Sequence, residues 1–146
     1  MRIYEIYQGA INWVAPNVDR EHDEVVYQLE NHDPEHMPAW VHERLTQLVD
    51  KRAFGAAVAR AQVRTLSRND IRNSGNTGDT WAQTLKWTEP AKSKRAASLY
   101  GKDKKVERPI YLQDPRSSQL WLLAGHHRST YVTDVLKQPV EVVVIQ

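Results

Sequence analysis

PIYLQDPRSSQLWLLAGHHRSTYVTDVLKQPVEVVVI, residues Pro109–Ile145, decides the fold class. Pro109–Gln113 and Leu120–Ala124 are short apolar runs separated by an Asp114-Pro115 turn, which predicts two strands. Ser129–Leu136 places Tyr131, Val132, Val135 and Leu136 at helical spacing, and Lys137-Gln138-Pro139 ends that helix. Val140–Ile145 is a near-continuous apolar run, the pattern of a strand covered on both faces. The order strand, strand, helix, strand predicts an α/β (α+β) fold, a single compact domain with a mixed sheet and short helices.

Upstream the elements are read from the same periodicities. Ala61–Leu66 reads as a strand with its arginine on the wet face, and AWVHERLTQLVDKR (residues 39–52) as a helix entered through Pro38. Val25–Leu29 and the opening MRIYEIYQ read as short strands. RNDIRNSGNTGDTW (residues 68–81) has turn chemistry without a period and is expected to be a loop. Ala91–Tyr100 is expected to form a short helix stopped by Gly101, followed by the charged turn GKDKK.

The totals narrow the function classes. At 146 residues, 40% of them hydrophobic, the chain is long enough for one packed core. No stretch approaches eighteen apolar residues and no signal-like segment opens the chain, so a cytoplasmic protein without membrane contact is expected. The absence of cysteine excludes disulfides, thiolate metal sites and thiol nucleophiles. The net charge of +2 hides an asymmetry: residues 1–50 carry three basic and ten acidic side chains, residues 51–146 seventeen and eight. Such a split steers a polyanion toward the basic part, or lets the acidic third pack against or shield the remainder. It also offers the acidic third to a basic protein partner or to a second copy in a homo-oligomer. Residues 1–55 are accordingly read as an acidic N-terminal extension or subdomain, and residues 56–146 as the main domain.

The chemistry is expected where the strand Leu120–Ala124 meets the following helix. At such a junction the first backbone N–H groups are unpaired, and the helix dipole adds positive potential. Gly125 permits close approach of a ligand, Arg128 offers a planar fork for phosphate oxygens, and Ser129 and Thr130 add hydroxyls. His126 and His127 are candidates for proton transfer or for a divalent metal such as Mg, with Asp114 or Asp134 as partners. The alternative is a polar turn in which one histidine packs and the other is solvated.

Gly125-His126-His127-Arg128, set within LWLLAGHHR, resembles the Gly-x-x-Arg box of the ParB/sulfiredoxin-like superfamily. ERPIYLQD ahead of it and QPVEVVVI behind it are similar to the flanking strands of that family, so the resemblance covers residues 90–146 and extends toward Ala61–Asn73. It implies a ParB/sulfiredoxin-like fold whose box holds phosphate, with activities from nucleotide hydrolysis and kinase chemistry to nuclease action. Gly125 and Arg128 fall on the family glycine and arginine. His126 stands where sulfiredoxins place a catalytic cysteine, which disfavours sulfinic acid repair. The box has fewer arginines than that of chromosome-partitioning ParB, and no helix-turn-helix region follows Ile145 in this sequence.

Other candidates are weaker. His32, Asp33, Glu35 and His36 supply metal-ligand atoms, but Pro34 breaks a helical i,i+4 face and the stretch reads as polar surface. Trp81 and Trp87 are candidates for stacking on bases. Lys92, Lys94, Arg95, Lys102, Lys104 and Lys105 are candidates for tracking a nucleic-acid backbone, or form an ordinary solvated face. Three functions follow as expectations: a metal-assisted nuclease or other phosphoryl-transfer enzyme; a non-enzymatic nucleotide or DNA-binding module; and an assembly protein with a vestigial pocket. Burial of Arg128 in a salt bridge within the protein, with no cavity alongside, would favour the third.

Overall fold

The computed structural model describes residues 11–31, 33–76, 104–134 and 136–146. Its elements are β1 (Asn12–Val14), α1 (Val18–Glu30), α2 (Ala39–Leu48), α3 (Lys51–Arg60), β2 (Gln62–Leu66), α4 (Arg68–Asn73), β3 (Lys105–Glu107), β4 (Ile110–Gln113), β5 (Leu120–Ala124), α5 (His126–Asp134) and β6 (Val140–Ile145). Four strands make one mixed sheet in the order β2-β6-β4-β5. β6 runs antiparallel to β2 and parallel to β4, while β4 and β5 form an antiparallel hairpin. β1 and β3 pair in parallel as a separate two-stranded ribbon.

The central position of β6 follows from its composition. Val140, Val142 and Val144 join Leu66, Ile71, Tyr111, Leu122, Tyr131 and Val132 in the core between the sheet and α4–α5. Val143 and Ile145 alternate to the opposite face, where they meet Val25, Leu45, Phe54, Ile110, Trp121 and Leu123 beneath α1–α3. Strand side chains alternate with period two, so only a strand covered on both sides tolerates apolar residues at both parities. The result is a single compact α/β domain with helices on both faces of its sheet.

Two sequence expectations are corrected. Val25–Leu29 lies inside α1 and is not a strand. Asn17 caps that helix by accepting the Arg20 N–H at 3.1 Å, and Asp19 and Glu21 sit in its first turn, where the dipole favours acidic groups. Its buried stripe is Glu21, Val25 and Gln28, so polar residues occupy two of the three positions and disguise the helical period. Arg68–Asn73 is also helical rather than loop. Ser67 and Asp70 form a reciprocal capping box, and Ile71 provides the buried anchor. The expected elements at Met1–Gln8 and Ala91–Tyr100 lie outside the described residues.

The buried polar stripe of α1 fastens the helix to the sheet. Gln28, 1% exposed, donates to the Leu123 carbonyl at 2.8 Å and accepts the Trp121 indole N–H at 3.1 Å. On the other side of Trp121, Gly75 pairs with the free edge of β5, donating to Leu120 O at 2.9 Å and accepting from Leu122 N at 2.8 Å. A Cβ on Gly75 would stand 2.7 Å from the Trp121 ring. Replacing Gln28 with Ala leaves a buried indole N–H and a carbonyl unpaired. The expected loss in a denaturant titration is about 2–4 kcal/mol, summed over two unsatisfied groups.

Candidate phosphate site at the Gly125 turn

β5 ends at Ala124 and α5 begins at His126, leaving Gly125 alone to reverse the backbone. Its φ of +91° lies in the left-handed region, and a Cβ there would meet Pro109 Cβ at 2.8 Å and Pro109 Cα at 2.9 Å. Both the conformation and the contact therefore require glycine. The first intrahelical bond is Ser129 N to Gly125 O at 2.9 Å, so the N–H groups of His126, His127 and Arg128 precede the helical ladder.

The side chains of the box divide between surface and interior. His127 is exposed. His126 is largely buried, and its Nε2 has no hydrogen-bond partner. Burial, assisted by the neighbouring His127 and Arg128, lowers its pKa from 6.5 to about 4, so the ring is neutral at physiological pH. Ser129 and Thr130 are buried. Thr130 Oγ1 donates to the His126 carbonyl at 2.8 Å, while Ser129 Oγ accepts from Tyr111 at 3.4 Å. Burial pushes the Tyr111 phenol up to about 12, which keeps it a neutral donor.

Arg128 is engaged by the rest of the chain. Its Nη2 lies 3.1 Å from Glu21 Oε1 and its Nη1 donates to the Glu107 carbonyl at 3.1 Å. The Arg128 and Glu21 side chains are only 16% and 10% exposed. Arg20 shares the same Glu21 oxygen at 2.8 Å and also pairs with the Glu107 carboxylate. A helix from the acidic part and the β1–β3 ribbon thus converge on the box. Losing Arg128 leaves Glu21 paired with Arg20, whereas losing Glu21 leaves the enclosed Arg128 with the Glu107 carbonyl and no carboxylate.

Neither aspartate expected to assist the histidines contacts them. Asp114 organises the β4–β5 turn, accepting from Arg116 N at 3.1 Å and Ser117 Oγ at 2.8 Å. Asp134 ends α5 and faces Arg68 Nε at 3.2 Å and Arg72 Nη2 at 3.6 Å, an ionic contact without directed hydrogen-bond geometry. Glu21 and Glu107, the residues that do meet the box, were missed. Glu21 was detectable only through the helical stripe of α1, and the Glu107 carbonyl leaves no sequence signal.

Lys104 and Lys105 are exposed at the start of β3, whereas Lys92, Lys94, Arg95, Lys102, Trp81 and Trp87 lie outside the described residues. Asp33, Glu35 and His36 bring one ligand atom each within 4.8 Å of one another, a small exposed cluster able in principle to coordinate a metal. His32, expected beside them, is outside the described residues. Among those residues, no helix is long and apolar enough to cross a membrane. Comparison with family models, curated proteins and solved structures finds no match to this chain.

Two outcomes follow. Gly125→Ala is expected to destabilise the domain by at least about 2 kcal/mol in a denaturant titration, combining left-handed strain with overpacking on Pro109. His126 generates an acid-labile term. Between its ordinary pKa of 6.5 and its folded value of about 4, the unfolded chain binds a proton that the folded chain refuses. That contribution is complete above pH 6.5 and disappears as pH falls through 4, a loss of about 3 kcal/mol. Stability measured against pH should be flatter over this window in His126→Gln than in wild type.

Proposed function

We propose that this chain is a phosphate-binding domain of the ParB/sulfiredoxin-like type that acts on nucleic acid or nucleotide, with metal-assisted nuclease action as its candidate reaction. The observation that carries this reading is the left-handed turn at Gly125, which presents the first N–H groups of α5 directly after a buried strand. The four-residue resemblance adds to it, because the glycine and arginine occupy the family positions. Exposed Lys104 and Lys105 stand at the start of the strand that delivers Glu107 to Arg128, giving an approaching backbone positive charge close to the box.

In this reading the two histidines differ in role. His127 is solvent-facing and is the one placed to move a proton at a bound phosphate. His126 is a packed, neutral ring that holds the turn in place. Arg128 polarises a phosphate oxygen only after exchanging Glu21 for it. The exchange is chemically matched, since carboxylate and phosphate are both oxyanions that accept a guanidinium fork. A divalent ion such as Mg takes oxygen ligands, and Glu21 is the carboxylate that contacts the box.

The Glu21–Arg128 pair also supports a second reading, in which the box is structural and the domain serves binding or assembly without turnover. Fluorescence anisotropy with labelled single-stranded and duplex DNA at low salt, paired with cleavage assays in Mg or Mn, separates the two. Wild type is expected to bind in a salt-sensitive manner, and Glu21→Gln about tenfold more tightly because Arg128 is released from a charge. His127→Ala is expected to keep binding and lose cleavage. Equal cleavage by wild type, His126→Ala and His127→Ala would remove the catalytic roles. No binding by wild type or Glu21→Gln would leave the assembly reading.

A further inference from the structure

The two terminal nitrogens of the Arg128 guanidinium have different partners. Nη1 donates to the Glu107 carbonyl at 3.1 Å, a main-chain contact from the β1–β3 ribbon, while Nη2 donates to Glu21 Oε1 at 3.1 Å. Nη2 is also the nitrogen that overhangs the turn, since a Cβ on Gly125 would stand 2.9 Å from it. A carboxylate from the first turn of α1 thus occupies the guanidinium nitrogen that lies against Gly125, where a phosphate oxygen would bind.

Glu21 is not committed to Arg128 alone. The same Oε1 accepts from Arg20 Nη2 at 2.8 Å, the shorter of its two contacts. Arg20 has a second anchor: its Nη2 also pairs with Glu107 Oε2, and Glu107 Oε1 accepts the N–H of Asn17, the cap of α1. The Arg20 side chain is 56% exposed, whereas those of Glu21 and Arg128 are enclosed. An enclosed carboxylate that loses its cation bears the cost of desolvation, and a second cation spares it much of that cost. With Arg20 in place, an anion arriving at Arg128 breaks one Glu21 contact and leaves Glu21 paired. Without Arg20, the same anion would strand Glu21.

We propose that Glu21 is an internal anion standing in for phosphate at Arg128, and that Arg20 is the positioning residue that keeps Glu21 when a phosphodiester oxygen displaces it. This role rests on the phosphate reading of the Gly125 box and supplies that site with its control: the first turn of α1 sets how readily Arg128 opens. Arg20 acts through Glu21 and not on the ligand. Its contribution to binding therefore disappears once Glu21 carries no charge, whereas a residue that touches phosphate, or only fastens α1 to the ribbon, contributes equally in either case.

Fluorescence anisotropy on the whole chain, with a labelled single-stranded DNA oligonucleotide at low salt, tests this in a double-mutant cycle. Arg20→Gln is expected to weaken binding about tenfold when made in wild type. Made in Glu21→Gln, it should weaken binding by less than about threefold, the general cost of one lost surface cation. Arg20→Lys keeps a cation for Glu21 and should stay within about threefold of wild type. Arg20 is more than half exposed, so its variants are expected to fold, which circular dichroism checks. Equal losses from Arg20→Gln in the two backgrounds, or no loss in either, would overturn the role of Arg20 while Arg128-dependent binding keeps the phosphate reading. Binding by Arg128→Gln as tight as by wild type, or no binding by wild type and Glu21→Gln, would remove that reading and this role together.

Discussion

Apolar side chains at both parities of Val140–Ile145 cannot be hidden by one layer of helix. Covering the two faces of β6 requires helices on opposite sides of the sheet, and most of the architecture follows from that demand. α4 and α5 cover one face through Ile71, Tyr131 and Val132, and α1–α3 cover the other through Val25, Leu45 and Phe54. Because α5 must leave the edge strand β5 and settle immediately against the sheet, its entry is compressed into one residue. Gly125 is the side chain-free solution to that geometry, and the first N–H groups of α5, which precede its helical ladder, are its by-product.

The same compression places the box where other elements reach it. α1 lies over one face of the sheet, so its first turn brings Glu21 to Arg128, and the β1–β3 ribbon brings Glu107 to both Arg128 and Arg20. Two carboxylates and two guanidiniums then form a nearly closed charge set, which makes the box locally neutral. At the far end of the sheet Arg44 and Arg60 line one cleft, and Arg44 is held by Gln47 Oε1 and the Gln146 main-chain oxygen. Total charge is a poor guide here, since what matters to a ligand is how the fold pairs each cation.

Much of the fold was legible because its carriers are apolar. The two hairpin strands, β6, α2, α5 and β2 all announce themselves through periodic apolar residues with ordinary turn chemistry between them. α1 was not legible because Glu21 and Gln28 occupy its inward positions, leaving Val25, Val26 and Leu29 to imitate a short strand. α4 was masked by its asparagines, and only the capping pair Ser67 and Asp70 signalled a helix. At the candidate site the glycine turn was readable from Gly125 alone. The inward rotation of the Ser129 and Thr130 hydroxyls was not, since a first-turn hydroxyl faces ligand or core depending on what packs above it.

By itself, then, the sequence determined the α/β class, the covered central strand and the glycine-led entry into α5, because each rests on local period and backbone sterics. Only the tertiary structure decided that Arg128 is held by Glu21, that the His126 Nε2 is enclosed and its ring neutral while His127 faces water, and that Arg44 and Arg60 share a cleft. Those outcomes depend on pairs of residues far apart along the chain, such as Glu21 and Arg128, whose meeting is set by the packing of whole elements rather than by anything written near either residue.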